Sequence, residues 1–215
     1  MSLIHFYGTG TNFPFYFGVM QYLQENYILD NIVFSGSSSG ALIALLCILK
    51  LDFMDILKKI LKIQDEIIKK HGSLLFVWKK YLIDFYNDII PEKTEYNNIE
   101  IIETKISFSL FPIQQIVSKN FKSKQEIIDS LLSSQHIPYL LDRNLFNIKN
   151  NEYFIDGVFS DYLFNNNSSI NIPHYTDIFK MATIRTIDEI NNMFSTGYNE
   201  TKKLKEYYDT ILTKK

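Results

Sequence analysis

The chain has 215 residues, of which 46% are hydrophobic and 21% are charged, a composition that excludes a disordered, collagen-like or disulfide-stapled protein. The formal net charge of −2 argues against nucleic-acid binding driven by overall charge. Cys47 is the only cysteine, so the sequence provides neither an intramolecular disulfide nor a cysteine-based zinc site.

The apolar segments are too short for export or for membrane insertion. The longest uncharged apolar run is Ala41–Leu49, whereas a spanning helix needs about 20 residues. The first strand pattern begins at Leu3, which leaves no room for the basic segment and apolar run of a secretory signal. We therefore expect a cytoplasmic protein, or one bound peripherally to a membrane.

Strand and helix patterns alternate in the N-terminal part of the chain. Leu3–Tyr7 predicts a strand, and apolar residues at helical spacing from Phe15 to Leu23 predict a helix. Asn31–Phe34 predicts a second strand, Ser35–Gly40 a turn, and Ala41–Leu49 a buried helix. This alternation is typical of a parallel sheet with helical crossovers.

The rest of the chain continues without a repeat or a clear linker. Further patterns predict an amphipathic helical stretch from Asp52 to about Tyr86 that is interrupted at His71-Gly72, a loop over Pro91–Asn98, one or two strands over Ile99–Phe111, a helix over Lys122–Ser133, a strand over Tyr153–Ile155, a surface loop over Asn165–Ser169, a strand over Asp177–Ile184 and a terminal helix over Asn191–Lys214. We expect one α/β domain over residues 1–215, with a central, mostly parallel sheet flanked by helices.

Glycine is scarce, with eight in the chain, and its positions point to a site. Gly36-Ser37-Ser38-Ser39-Gly40 fits the pattern G-x-S-x-G between a predicted strand and a predicted helix. In that setting a tight turn exposes the Ser38 hydroxyl, and the following helix directs its positive end at a developing oxyanion. A Ser/Gly-rich turn that only caps the helix is the alternative.

A second glycine pair, Gly8-Thr9-Gly10, ends the first predicted strand and opens the first helix. In a parallel sheet this loop and the Ser38 turn emerge at the same edge, where backbone N–H groups can approach an oxyanion. Nucleotide binding is disfavoured because Phe13 stands where a dinucleotide fingerprint needs its third glycine, the second strand ends without an acidic residue, and a Walker A lysine is missing.

Two kinds of base could accept the proton of Ser38, a histidine or an aspartate. The order Ser38, Asp156, His174 is that of an α/β-hydrolase triad, but Ser38 comes too early in the chain for that fold. A Ser–Asp dyad, in which Asp156 takes the serine proton directly, needs no histidine. It requires a partly desolvated Asp156, so that the pKa of the carboxyl rises toward the working range. His5 lies within the first strand and is interpreted as structural.

The ordered set Gly8-Thr9-Gly10, Gly36–Gly40 and Asp156-Gly157 resembles the patatin-like phospholipase family, whose members show a Gly-rich oxyanion loop, then G-x-S-x-G, then a distant D-G-[GA]. The similarity covers about residues 3–205. Four segments resemble the adipose triglyceride lipase and adiponutrin branch in particular, namely Gly18-Val19, Ile137-Pro138, Tyr153–Asp161 and Gly197-Tyr198-Asn199.

The resemblance implies a lipid acyl hydrolase, a phospholipase A or related lipid esterase, that acts on a lipid ester through an acyl-enzyme without metal or other cofactor. It implies Ser38 as nucleophile and Asp156 as base. It further implies an oxyanion hole formed by the N–H groups of Gly8, Thr9, Gly10 and Thr11, and a nucleophile elbow shaped by Gly36 and Gly40.

Three positions depart from the family pattern. Thr9 replaces the middle glycine of the loop, Phe13 replaces a later glycine, and Val158 replaces a small residue after Asp156-Gly157. Loss of one oxyanion donor lowers the rate roughly 10²–10³-fold. The alternative is therefore a catalytically weak or inactive patatin-like protein that binds lipid or a protein partner.

Two segments are considered for peripheral membrane contact. The aromatic residues Phe13, Phe15, Tyr16 and Phe17 lie beside the predicted site, and aromatic side chains favour interfaces. The Ile56–Ile63 stretch pairs an apolar face with lysines. For both, we favour packing in the core, because amphipathic helices are routine in globular domains.

Overall fold

The computed structural model describes residues 2–92, 96–107, 112–164, 169–174 and 186–215. Its strands are β1 Ser2–Phe6, β2 Tyr27–Ile28, β3 Ile32–Ser37, β4 Tyr96–Ile106, β5 Ile113–Phe121, β6 Asn147–Lys149, β7 Glu152–Ile155 and β8 Thr213–Lys214. Its helices are α1 Pro14–Asn26, α2 Ser39–Leu49, α3 Phe53–His71, α4 Trp78–Ile89, α5 Lys124–Ser134, α6 Val158–Phe164, α7 Ile187–Lys203 and α8 Lys205–Ile211, with a short 3₁₀ helix at Gly10–Asn12.

The fold is of the α/β class, as predicted, with helices flanking a central sheet of strand order β1-β3-β4-β7-β6, in which β5 also pairs with β4. β1, β3 and β4 are parallel, whereas β5 and β7 run antiparallel to β4 and β6 runs antiparallel to β7. The sheet is therefore mixed rather than mostly parallel. The link from β4 to β5 is too short for a parallel crossover, which takes a dozen or more residues.

Several element boundaries differ from the sequence-based expectations. β3 continues through Ser37, because Ser35, Gly36 and Ser37 pair with β4 on one side. The expected turn over Ser35–Gly40 thus reduces to Ser38. β4 begins within the expected loop, at Tyr96, and β5 was not predicted.

The C-terminal region also departs from expectation. In place of one terminal helix, the chain forms α7 and α8, and β8 then pairs antiparallel with β2. The expected strand over Asp177–Ile184 lies outside the described residues, and so does the expected surface loop except for Ser169.

The core is built around α2 and α1. α2 is apolar on all sides and is buried from Gly40 to Cys47, as its sequence predicted. In α1, Phe15, Tyr16 and Phe17 are buried, which confirms the core interpretation of this aromatic run. No helix in the described part of the chain is both long and apolar enough to cross a bilayer.

α1 and α7 cross in direct backbone contact. A Cβ added at Gly18 would lie 1.9 Å from the Phe194 carbonyl oxygen, and one at Gly197 would lie 2.0 Å from the Phe15 carbonyl oxygen. Only glycine fits at these two positions. The crossing packs α7 against the first βα unit of the sheet.

Candidate active site

Ser38 stands between β3 and α2 in a backbone conformation that non-glycine residues avoid. Its φ is 52° and its ψ is −126°, a region that stores strain unless the surroundings fix it. A serine held in this way on a strand-to-helix turn is typical of a nucleophile elbow.

The two glycines of the elbow are required by close backbone packing. A Cβ at Gly36 would lie 2.3 Å from the Gly40 carbonyl oxygen, and a Cβ at Gly40 would lie 2.1 Å from the Phe6 carbonyl oxygen. The turn can therefore close against β1 only when both positions lack a side chain. This explains the spacing of the two glycines around Ser38.

Ser38 and Asp156 are in direct contact. Ser38 Oγ donates a hydrogen bond of 2.8 Å to Asp156 Oδ2, and the Val158 N–H donates one of 3.0 Å to Asp156 Oδ1. Because β7 runs antiparallel to β4, its end at Ile155 lies opposite Thr104, near the level at which β3 ends. The antiparallel strand thus brings Asp156 back to Ser38.

The environment of Asp156 raises the pKa of its carboxyl group. Burial raises this pKa to about 7, against the lowering effect of the Val158 N–H and the Ser38 hydroxyl, and the negative charge of Asp161 adds to the increase. The desolvation that a Ser–Asp dyad requires is therefore present. Asp156 can gain or lose a proton near neutral pH.

Ser134 and Gln135, at the end of α5, connect the turn at Ser38 with the segment around Asp156. The Ser38 N–H donates to Ser134 Oγ at 2.9 Å, and the Gly157 N–H donates to the Ser134 carbonyl at 2.8 Å. Gln135 Nε2 donates to the Ser38 carbonyl at 3.2 Å. Sequence reasoning missed both residues, because neither belongs to a motif.

The loop that carries Gly8-Thr9-Gly10 is bound to the elbow by two of its own amides. The Gly8 N–H donates to Ser37 Oγ at 3.1 Å, and the Thr9 N–H donates to Ser39 Oγ at 2.9 Å. The amides of Gly8 and Thr9, both expected oxyanion donors, therefore have partners within the protein. Gly10 and Thr11 line a cavity together with Ser38 and Ser39.

A buried polar network lies directly behind this loop. His5 Nε2 lies 3.0 Å from Asp161 Oδ2, and both side chains are fully buried. The Ser37 hydroxyl donates to the same carboxylate oxygen, and His5 Nδ1 lies 3.1 Å from Ser35 Oγ. The structural role expected for His5 fits this placement, but the sequence did not single out Asp161.

The cavity beside Ser38 has a volume of about 480 Å³ and is mainly apolar. Much of its wall comes from α3 and α4, including Leu57, Ile60, Leu61, Leu82 and Phe85. The apolar face of the Ile56–Ile63 stretch therefore points into the protein, as the core interpretation predicted. The volume and apolar lining of this space suit an alkyl chain.

Phe13, the most conspicuous departure in the loop, has a helical backbone with φ −53° and ψ −24°. Its ring packs edge-to-face against Phe17 at 5.3 Å between centroids and lines the cavity. A glycine is not needed for this conformation. Phe13 serves as part of the cavity wall.

His174 is not part of the Ser38–Asp156 contact. Its Nδ1 lies 3.2 Å from the Tyr16 hydroxyl, and the direct 2.8 Å bond between Ser38 and Asp156 leaves no space for an imidazole between them. Among the described residues, no group of three or more His, Cys, Asp or Glu side chains could hold a metal ion.

The sequence is similar to a known protein family. The model of the family described as patatin-like phospholipase matches residues 6–168, a range that contains Gly8-Thr9-Gly10, Ser38 and Asp156 and stops before α7. None of the curated proteins matches the chain significantly.

Proposed function

The chain belongs to the patatin-like phospholipase family, and we propose on this basis that it is a lipid acyl hydrolase, a phospholipase A or related lipid esterase, that uses Ser38 and Asp156 as a catalytic dyad. The observation that carries the proposal is the 2.8 Å hydrogen bond from Ser38 Oγ to the buried Asp156 carboxylate. The apolar cavity beside Ser38 would hold the acyl chain of the substrate.

In the first half-reaction, Ser38 Oγ attacks the ester carbonyl carbon while Asp156 accepts the serine proton. The carbonyl π electrons move onto oxygen, giving a tetrahedral oxyanion. As that intermediate collapses, the bond to the alcohol breaks and Asp156 returns its proton to the leaving oxygen. The acyl group is then an ester of Ser38.

In the second half-reaction, Asp156 accepts a proton from water as the water oxygen attacks the acyl-enzyme carbonyl. Collapse of the second tetrahedral intermediate breaks the bond to Ser38 Oγ, and the proton held by Asp156 goes to that oxygen. A fatty acid leaves and the dyad is restored. A carboxyl group with a pKa of about 7 suits both proton transfers at neutral pH.

We propose that the loop from Gly8 to Thr11 supplies the oxyanion hole. Gly10 and Thr11 line the cavity with Ser38, and the amides of Gly8 and Thr9 hold the loop in place through Ser37 and Ser39. The N-terminal end of α2, which begins at Ser39, adds a positive field at the same point.

The same loop contacts favour one alternative, a catalytically weak or inactive patatin-like protein that binds lipid or a protein partner. If Gly8 and Thr9 were the essential oxyanion donors, their bonds to Ser37 and Ser39 would have to break before the reaction. In that case the dyad would survive without an efficient hole, and the cavity would serve for binding alone.

Covalent labelling with a fluorophosphonate, read by intact-mass spectrometry, tests the proposal. Wild type, His174→Ala and the exposed-serine control Ser195→Ala should each gain one adduct. Ser38→Ala should gain none, and Asp156→Asn should label much more slowly, because its amide cannot accept the serine proton. An unlabelled, folded wild type would favour the inactive alternative, and a positive result would justify a screen of lipid esters.

We further propose that residues 1–215 form a single patatin-like domain, beyond the matched range. The crossing of Gly18 and Gly197 and the presence of Ile190 in the cavity wall support the inclusion of α7. The adipose triglyceride lipase and adiponutrin branch is our proposal for the subfamily, and it rests on the sequences of four segments, Gly18-Val19, Ile137-Pro138, Tyr153–Asp161 and Gly197-Tyr198-Asn199.

A further inference from the structure

The cavity reaches the protein surface at the connection between α3 and α4. This connection contributes Gly72, Ser73, Leu74 and Leu75 to the cavity wall, with Ile137 nearby. Leu75 is 46% exposed and Ile137 is 39% exposed. One end of the space beside Ser38 is therefore bordered by apolar side chains that face solvent.

These residues, together with Phe76 and Tyr139, are called the rim. Phe76 is 44% exposed, and its φ of 66° is a conformation that bulky residues rarely adopt. The Phe76 N–H donates to the Leu140 carbonyl at 2.9 Å, which ties the connection to the segment that carries Ile137 and Tyr139. The surrounding structure thus holds the Phe76 ring outward despite backbone strain.

Cations flank the rim on both sides. Lys69 and Lys70 lie in the last turn of α3, and Lys80 lies in the first turn of α4. All three are exposed, and none forms an ion pair with another described residue. Lys79, by contrast, is neutralised by Asp142 at 2.9 Å.

A second cavity of about 450 Å³ adjoins the rim. Its walls include Phe76 and the cationic side chains of Lys70 and Lys80, with Asp84 as an acidic member beside the paired Lys79 and Asp142. Tyr81 borders both cavities. A cavity with lysine side chains in its wall thus lies next to the open end of the first cavity.

We propose that the rim docks on a bilayer that contains anionic phospholipid, with Leu75 and Phe76 entering the interface and Lys69, Lys70 and Lys80 contacting lipid phosphates. The exposed apolar side chains match the hydrocarbon side of the bilayer interface, and the unpaired lysines beside them match its anionic headgroups. The proposal rests on the proposed function, because it places the open end of the acyl cavity on the membrane that supplies the lipid.

Vesicle co-sedimentation tests this docking with protein carrying Ser38→Ala, so that no lipid is consumed. The vesicles are phosphatidylcholine alone and phosphatidylcholine with phosphatidylserine. Phe76→Asn removes the ring and keeps a residue that tolerates positive φ, and Lys70→Glu with Lys80→Glu reverses the charge. The matched controls are Ile211→Asn, at another exposed apolar residue, and Lys62→Glu with Lys202→Glu.

Binding should be stronger to the phosphatidylserine vesicles, and both rim variants should bind them about tenfold or more weakly, while the controls bind like the parent protein. Equal binding to both vesicle types, or equal loss in rim and control variants, would overturn the proposal. A concentration-dependent dimer that Phe76→Asn dissociates would assign the rim to a second copy instead.

Fluorophosphonate labelling of the protein with an intact Ser38 separates the two proposals. Labelling without vesicle binding would remove the docking surface and leave the hydrolase in place. Vesicle binding without labelling would remove the hydrolase and leave a lipid-binding surface.

Discussion

Asp161 Oδ2 lies 3.0 Å from His5 Nε2 in the closed interior behind the active site. The same oxygen accepts the Ser37 hydroxyl, and Ser37 Oγ accepts the Gly8 N–H at 3.1 Å. A buried carboxylate is thereby connected to the proposed oxyanion loop through a single serine. In the proposed mechanism, Ser37 and Asp161 are positioning residues that act on the reaction through the loop.

Replacement of Ser37 by alanine should lower kcat while leaving KM for a soluble ester nearly unchanged. The variant removes the acceptor of the Gly8 N–H, so the loop loses the contact that sets its distance from Ser38. We expect a decrease of about tenfold, smaller than for the loss of an oxyanion donor itself. Steady-state kinetics on a short-chain ester measure the effect.

The control for this variant is Ser133→Ala, which removes another buried serine hydroxyl, one that is bonded to Asp129 and Asn147 away from the loop. An equal decrease in both variants would indicate a general loss of packing. An unchanged kcat in Ser37→Ala would show that the hydrogen bonds from Asp161 through Ser37 to the loop do not affect catalysis.

The rate of hydrolysis should depend on pH with a midpoint near 7. Burial raises the pKa of Asp156 to about 7, and the base must be deprotonated to accept the serine proton. The value of kcat/KM on a soluble ester should therefore rise about tenfold per pH unit below the midpoint and level off above it. A flat profile between pH 5 and 9, as a base with the ordinary aspartate pKa of about 3.9 would give, would contradict the raised pKa of Asp156.

A second pH measurement uses Asp161→Asn. Since the Asp161 charge contributes to the raised pKa of Asp156, its removal should move the midpoint to lower pH, whatever happens to the maximal rate. A midpoint that stays in place would mean that the two carboxyl groups are not coupled.

The same raised pKa predicts that Asp156 destabilises the folded protein above neutral pH. The folded state keeps its proton up to about pH 7, whereas the unfolded chain loses it near 3.8. As pH rises through this window the unfolded state therefore binds fewer protons, and stability falls. At pH 8 the free energy of unfolding of Asp156→Asn should exceed that of wild type by roughly 2–4 kcal/mol. The variant should therefore unfold at a higher urea concentration.

That advantage should shrink as the pH falls from 7 toward 3.8, because the folded state keeps its proton over this range and the unfolded chain becomes progressively protonated as well. Urea unfolding of both proteins at pH 8 and at pH 5 provides the comparison, and Asp129→Asn on the outer face of α5 serves as the control. A constant difference between Asp156→Asn and wild type at the two pH values would contradict the linkage.

The sequence predicted the elements of the site that depend on local geometry. The tight turn at Ser38 admits only small neighbours, so its glycines are visible as a motif, and steric contact accounts for both of them. The amphipathic pattern of α3 likewise predicted a buried face. In both cases the residues that determine the local structure lie within one short segment of the sequence.

Features that depend on contacts between distant segments were not predictable. Ser134, Gln135 and Asp161 reach the site from elements far from Ser38 in sequence, and none of them carries a motif. The position of Asp156 depends on the antiparallel register of β7 on β4. The pattern of α3 also gave no sign that its apolar face would line a cavity instead of a filled core.

Replacement of Gly197 by alanine should destabilise the protein by several kcal/mol. The new Cβ would lie 2.0 Å from the Phe15 carbonyl oxygen, so α7 would have to move away from α1. Gly72→Ala is the control, because its Cβ would meet no atom within 4 Å and only the φ of 70° is unfavourable. We expect about 1 kcal/mol there.

Thermal or urea unfolding of the two glycine variants measures the difference. If Gly197→Ala is no less stable than Gly72→Ala, α7 is not seated on α1 as described, and the proposal of one domain over residues 1–215 loses its main support.

Replacement of Phe13 by glycine, which brings the loop closer to the family pattern, should not increase activity. Phe13 has a helical backbone that glycine does not improve, and its ring packs on Phe17 and forms part of the cavity wall. We expect a higher KM for a long-chain ester and lower stability, with Phe13→Leu close to wild type in both because it keeps most of the apolar volume. Kinetics on short-chain and long-chain esters distinguish the outcomes. A large increase in kcat in Phe13→Gly would mean instead that the ring obstructs the oxyanion hole, so that the loop of this chain is a damaged version of the family's loop and its native role is binding.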